Sequence, residues 1–280
     1  MAADMPVERI DAFGHLRGRT DCVKIINLEM DVLDERLRFR IDVAHGRVKL
    51  SDIVPLARTI SGRIADIVID KHHKDGIEIA CRKGCGHCCR SHLVPLAVPE
   101  AFRLNEYIHS RHRDLRDAML RSCLLAAQDI LDREPPESFT PPTLEPVDSR
   151  GFLADVSTWY VSLGVCCPFL SNHVCTIYEN RPLACRDYFV RGGSNACINA
   201  DPTTGPLKMP VPMVEVLGQL AGELEGSDIE AVILPLTPAW CEQNAHRAER
   251  TWPAETVAEL FVELVSTRAS EKSMQLALSG

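Results

Sequence analysis

Ten of the twelve cysteines in this 280-residue chain fall between Cys81 and Cys197, and their spacing is that of ligands. The first group reads Cys81-Arg-Lys-Gly-Cys85-Gly-His-Cys88-Cys89-Arg. Two cysteines three apart, as Cys85 and Cys88 are, can present both sulfurs to one ion from a tight turn. Gly84 and Gly86 supply the positive φ such a turn needs. Thiolates are soft ligands that suit zinc, copper(I) or iron–sulfur clusters. In the doublet Cys88-Cys89 adjacent side chains diverge, so the two sulfurs are expected to serve different ions, or one to bind and one to react. The second group is Cys167-Pro-Phe-Leu-Ser-Asn-His-Val-Cys175, then Cys185 and Cys197. Cys175 and Cys185 are too far apart for one knuckle, so the fold must gather them. Together the two groups make eight thiolates, enough for two four-coordinate sites or one polynuclear site. Metal ions, with Arg82, Lys83, Arg90, Arg181 and Arg186 nearby in sequence, can offset that much negative charge.

Other residues compete for the same site. His87, His92 and His173 lie in or beside the clusters, and imidazole suits zinc and iron; as loop histidines they read first as exposed. Cys166 is undecided between site and surroundings. Tyr178 could donate a proton near the metals, but reads as packing for a short helix that leads to Cys185. Cys22, Cys123 and Cys241 read as small buried hydrophobes.

These motifs together resemble the YkgJ-type cysteine-cluster family, the zinc- or iron-chelating CxxCxxCC domain. They are the C-x3-C-x2-CC segment, then C-P-F-L, then C-x-I-Y-x-x-R-P-x-x-C-R and a last cysteine. The resemblance spans about residues 81–197. It implies metal binding by Cys81, Cys85, Cys88, Cys89, Cys167, Cys175, Cys185 and Cys197, with zinc or iron left open. Some members are flagellin lysine N-methylases, regarded as iron–sulfur proteins. One departure stands out: three residues (Arg82, Lys83, Gly84) separate the first two cysteines, where the motif's name has two.

The elements that must position these loops can be read from periodicity. Two period-2 stretches, Ile25–Val32 and Arg36–Val43, form a hairpin. Folded at Leu33–Arg36, it sets Asp31 opposite Arg38 and Glu29 opposite Arg40 across a solvated face. Ser51 is placed to cap a helix running to about Lys74, with Pro55 tolerated in its first turn and Gly76 past its end. A short strand, Ile77–Ala80, leads into the first cysteines. Helices follow at about Val98–His112 and Leu115–Arg133, then a stiff proline loop from Pro135 to Pro146. Apolar residues at helical spacing mark further helices around Val214–Leu224, Ala239–Arg250 and Val257–Val265. The expected fold is α+β, mainly α-helical: a loose tail over 1–19, then one domain over 20–270 with the cysteine core at 81–197.

Composition narrows the function. With 45% apolar and 25% charged residues, the chain reads as an ordinary globular protein. Its formal net charge of -8 argues against a general nucleic-acid partner. No apolar run approaches the ~20 residues of a spanning helix, and Met1–Thr20 lacks the apolar core of a secretory signal. A cytoplasmic, reducing setting suits so many thiols. Gly-x-Gly-x-x-Gly after a strand, a phosphate loop and His-Glu-x-x-His are all absent, which disfavours the chemistry they carry. The Gly-rich strand–helix turn usual for an S-adenosylmethionine donor is absent too.

The expected function is therefore a metalloprotein holding an iron–sulfur cluster or a multinuclear iron or zinc site. Its use would be enzymatic, on a protein or peptide substrate, and lysine N-methylation is the most concrete candidate. The alternative is a structural-zinc binding or adaptor module. A third reading is a thiol redox protein that cycles Cys88 or Cys89.

Overall fold

Alternating apolar residues build the sheet. In a computed structural model, which describes residues 3–4, 6–16, 23–79, 81–90, 92–133, 149–193 and 205–278, strands β3 (Val23–Val32) and β4 (Glu35–Ala44) form the hairpin. β1 (Ala3–Asp4) and β2 (Glu8–Ala12) run parallel to β4 on its other edge. Leu28, Met30 and Val32 bury one face together with Leu37, Phe39, Ile41 and Val43.

The register differs from that expected. The turn is only Leu33–Asp34, with Leu33 at φ 54°, so Asp31 faces Arg36 and Glu29 faces Arg38. Every partner moves by two residues, an even shift that leaves each side chain on its expected face. Arg36 Nε donates to Asp31 Oδ1 at 2.9 Å. The stretch read as a loose tail contains β2, whose Ile10 and Ala12 are buried. Its alternation of apolar and polar residues is short, and its partner lies some thirty residues away, which hid it in the sequence.

After β5 (Arg47–Val48) a short 3-10 turn leads into α1 (Val54–Lys74), with Pro55 in its first turn. Ser51 does not cap this helix; its hydroxyl donates to Glu106 Oε1 at 2.7 Å. The expected strand at Ile77–Ala80 is reduced to bridges from Ile79 to Arg191 and Gly192, and Ala80 lies outside the described residues. β6 (Pro95–Ala97), α2 (Val98–His109) and α3 (Arg113–Leu131) follow close to expectation. The proline loop at 135–146 lies outside the described residues.

α4 (Ser149–Leu163) is a helix the sequence reading did not anticipate. Val156, Trp159, Tyr160 and Leu163 recur along it at helical spacing and pack around Leu93, Ala126 and Ile130. Next come β7 (Leu170–Ser171), β8 (Val174–Cys175), the short α5 (Leu183–Arg186), α6 (Met213–Glu225) and β9 (Ala231–Ile233), which pairs with β6. The single helix expected over Ala239–Arg250 is two short ones, α7 (Thr237–Gln243) and α8 (Ala245–Ala248). β10 (Trp252–Pro253) pairs with β5, and α9 (Ala254–Leu278) closes the order.

The fold is mainly helical α+β, as expected. Its core has two main parts. In one, Ile60, Ile64 and Val68 of α1 and Val257, Phe261 and Val265 of α9 meet the buried face of the sheet. In the other, Leu96, Phe102, Leu104 and Ile108 pack with Phe169 and Ile177, and Cys167, Cys175 and Cys185 border it. Among the described residues no helix is long and apolar enough to cross a membrane.

Candidate metal centre

Three short segments bring the cysteines together. The first is the knuckle. Its turn is closed by the Cys85 N–H donating to the Arg82 carbonyl at 2.9 Å, with Gly84 at φ 91°. Only glycine takes that conformation without strain. Gly86 is there for a different reason than the positive φ expected: a Cβ on it would lie 3.0 Å from Leu170 Cδ1 and 3.1 Å from the His173 carbonyl oxygen. Its lack of a side chain lets the knuckle lie against the second cysteine group. Cys88 and Cys89 then occupy a single 3-10 turn, Cys88–Arg90.

The second segment is the β7–β8 hairpin, in which Leu170 pairs with Cys175. Its turn, Asn172–His173, has φ values of 48° and 64°, the left-handed pair a tight primed hairpin turn requires. The Cys167 N–H donates to the Cys89 carbonyl at 2.7 Å, tying hairpin to doublet, and Arg90 Nη2 lies 2.6 Å from His173 Nδ1.

The third segment is α5, which carries Cys185 and is fixed by buried polar groups from α1 and α2. The Glu100 carboxylate accepts the Leu183 N–H at 2.7 Å. Arg58 Nη2 donates to the Asn180 carbonyl at 3.1 Å, and the Ser61 hydroxyl donates to Asp187. Glu100 is 1% exposed, and its Oε2 has no hydrogen-bond partner among the described residues. Burial pushes its carboxyl up to about 7 and that of Asp187 up to about 6. Sequence reading missed all four residues of this clamp. Glu100 sits in the first turn of α2, where an acidic residue is ordinarily a solvated complement to the helix dipole.

The thiols interact around the doublet. The Cys88 and Cys89 side chains interact with each other, and so do those of Cys89 and Cys167. Cys81 feels the charges of Cys85 and Cys88, and Cys185 those of Cys88, Cys89 and Cys175. Burial pushes the Cys81, Cys175 and Cys185 thiols up. Interaction with Cys89, reinforced by burial, raises Cys88, and interaction with Cys167 pushes Cys89 up to about 12. As thiols, Cys88 and Cys89 therefore lack the lowered pKa of a redox-cycling cysteine. The Arg181 charge works in the opposite direction on Cys81, Cys88, Cys175 and Cys185, so this arginine, of those near the motifs, faces the site.

Crowded, half-buried thiols that cannot ionise together are the donor set a soft cation would stabilise. The chemistry fits such an ion, but the spacing is not that of a finished site. Among the described residues, no group of three or more His, Cys, Asp or Glu side chains stands ready to hold a metal ion. Cys197 lies outside the described residues, as does Cys22.

The other candidates fall in several places. Cys123 and Cys241 are buried, as expected of core residues, and Cys166 is exposed. His92 is half-buried, its ring 4.1 Å from that of Tyr188, and burial lowers its pKa. His87 and His173 line a cavity of about 320 Å³ with Cys85. Tyr178 lies under the Arg181 guanidinium, 3.9 Å from it.

The model of the family described as "CxxCxxCC: Putative zinc- or iron-chelating domain" matches residues 80–203. The matched stretch is the cysteine-bearing segment, which is similar to this family. The match spans the knuckle, the hairpin, α5 and Cys197, and it supports metal binding by zinc or iron. No curated protein and no solved structure matches the chain.

Proposed function

We propose that the CxxCxxCC segment holds iron, as an iron–sulfur cluster or a multinuclear iron site, through Cys81, Cys85, Cys88, Cys89, Cys167, Cys175, Cys185 and Cys197. The observation that carries this reading is the convergence of three cysteine segments on the Cys88–Cys89 doublet. Seven described thiols exceed the four ligands of a closed structural zinc. Arg181 helps to balance the thiolate charge, and the Glu100–Arg58–Ser61 clamp holds Cys185 in place. We further propose that the site acts on a protein or peptide. The family resemblance makes lysine N-methylation the most specific form of that activity, with no nucleic-acid or membrane partner.

The test is anaerobic purification followed by elemental analysis, labile-sulfide assay and a visible spectrum. Brown protein with iron supports the proposal, and labile sulfide identifies the cluster form. Colourless protein with two zinc ions per chain and no open coordination position overturns it in favour of a structural-zinc binding module.

A further inference from the structure

Beside the cysteine group, a cleft of about 720 Å³ opens between the C-terminal half of α2 and the stretch Cys175–Asn180. That is the size of a small-ligand site, roughly 300–1,000 Å³. Three cations from separate places reach it: Lys83 from the knuckle, Arg103 from α2, and Arg111 from the loop beyond. It also contains two carboxylates, both already engaged. Glu106 accepts from the Ser51 hydroxyl at 2.7 Å and from Arg103 at 3.5 Å, and Glu179 lies 3.5 Å from Lys83. Arg111 differs from the other two cations. Among the described residues it has no carboxylate partner; its guanidinium lies 4.4 Å from the Tyr107 ring and bonds only the Ser110 hydroxyl, at 3.0 and 3.3 Å. Stacking on the ring holds the fork in one orientation while leaving donors uncommitted.

We propose that this cleft binds an anionic ligand. Its carboxylate or phosphate group is received by Arg111 and Arg103, and the remainder lies along Tyr107 and Tyr178 toward Cys175. A guanidinium pairs with such oxyanions through two parallel N–H bonds, which a point charge cannot do. The inference stands apart from the metal assignment, since the side chains that receive the anion, Arg111 and Arg103, are not proposed metal ligands; of the cleft's lining only Cys175 is one. The anion has two possible sources, a small free molecule or an acidic side chain of a protein segment.

Isothermal titration of the purified full-length chain with inorganic phosphate, citrate and a hexaglutamate peptide tests it, with metal content measured on each sample. Saturable binding is expected, weakened about tenfold in Arg111→Gln. Lys83→Gln, at an exposed position, should show a smaller loss. Arg268→Gln, on α9, should bind as the wild type does. Tighter binding of hexaglutamate than of citrate identifies an acidic protein segment, and the reverse identifies a free small anion. The proposal is overturned if no probe gives saturable heat, or if Arg111→Gln and Lys83→Gln both bind like Arg268→Gln. Metal content unchanged across the variants keeps either outcome separate from the metal assignment.

Discussion

At the residue scale, one cysteine differs from another in what surrounds it. Cys123 is 1% exposed on α3 among apolar neighbours, whereas Cys185 feels three other thiols and Arg181. Cys185→Ser and Cys89→Ser should each lower bound metal per chain, measured by elemental analysis, and Cys123→Ser should leave it unchanged. Retained metal with lost activity in Cys89→Ser would mark a reactive thiol instead. Glu100 makes a separate prediction. Because burial raises its carboxyl to about 7, the folded chain keeps a proton there that the unfolded chain has already released. Its contribution is present at low pH and lost as pH rises through about 7, so it makes stability fall with pH over roughly pH 4.5–7. The nearby Asp187, raised to about 6, acts in the same direction. Glu100→Gln is neutral and can still accept the Leu183 N–H. It should flatten that slope and exceed the wild type in stability above about pH 7, as read from urea midpoints across the range.

At the element scale, the site depends on how closely the knuckle approaches the β7–β8 hairpin. Gly86→Ala would put a methyl against the His173 backbone carbonyl, which cannot rotate away as a side chain could. The expected cost is about 1–3 kcal/mol in chemical denaturation, with weaker metal retention because the same two segments are also joined by the Cys167 N–H to Cys89 carbonyl bond, which a shift of the knuckle would strain. The spacing of Cys85 and Cys88 is readable directly, since a tight turn is a local matter. Gly84 was legible for the same reason, whereas the role of Gly86 depends on a partner more than eighty residues away. The hairpin register shows the same division. Apolar alternation set the faces, but the turn's length set the pairing, and Leu33 in a left-handed conformation has no propensity signal.

At the scale of the whole molecule, the sheet with α1, α6 and α9 forms one part of the core, and the cysteine group borders the other. Phe261 is completely buried on α9 against the sheet. Phe261→Ala should cost about 3–5 kcal/mol by removing that packing, yet the folded variant should bind as much metal per chain as the wild type. Metal removal works from the other side. An ion that binds only the folded chain stabilises it by mass action, so chelation should lower the melting temperature. Calorimetry with and without chelator checks this, and Phe261→Ala should show the same decrement as the wild type.

The sequence by itself determined the mainly helical α+β class, the hairpin, most helix positions and the eight candidate ligands, because periodicity and short cysteine spacings are properties of neighbouring residues. Tertiary structure alone decided that β2 belongs to the sheet, that Arg181 faces the thiols, and that Glu100, Arg58, Ser61 and Asp187 hold α5. Those contacts join residues tens of positions apart, and burial changes what each side chain means: the same glutamate is a surface charge in water and a carboxyl raised to about 7 inside the fold.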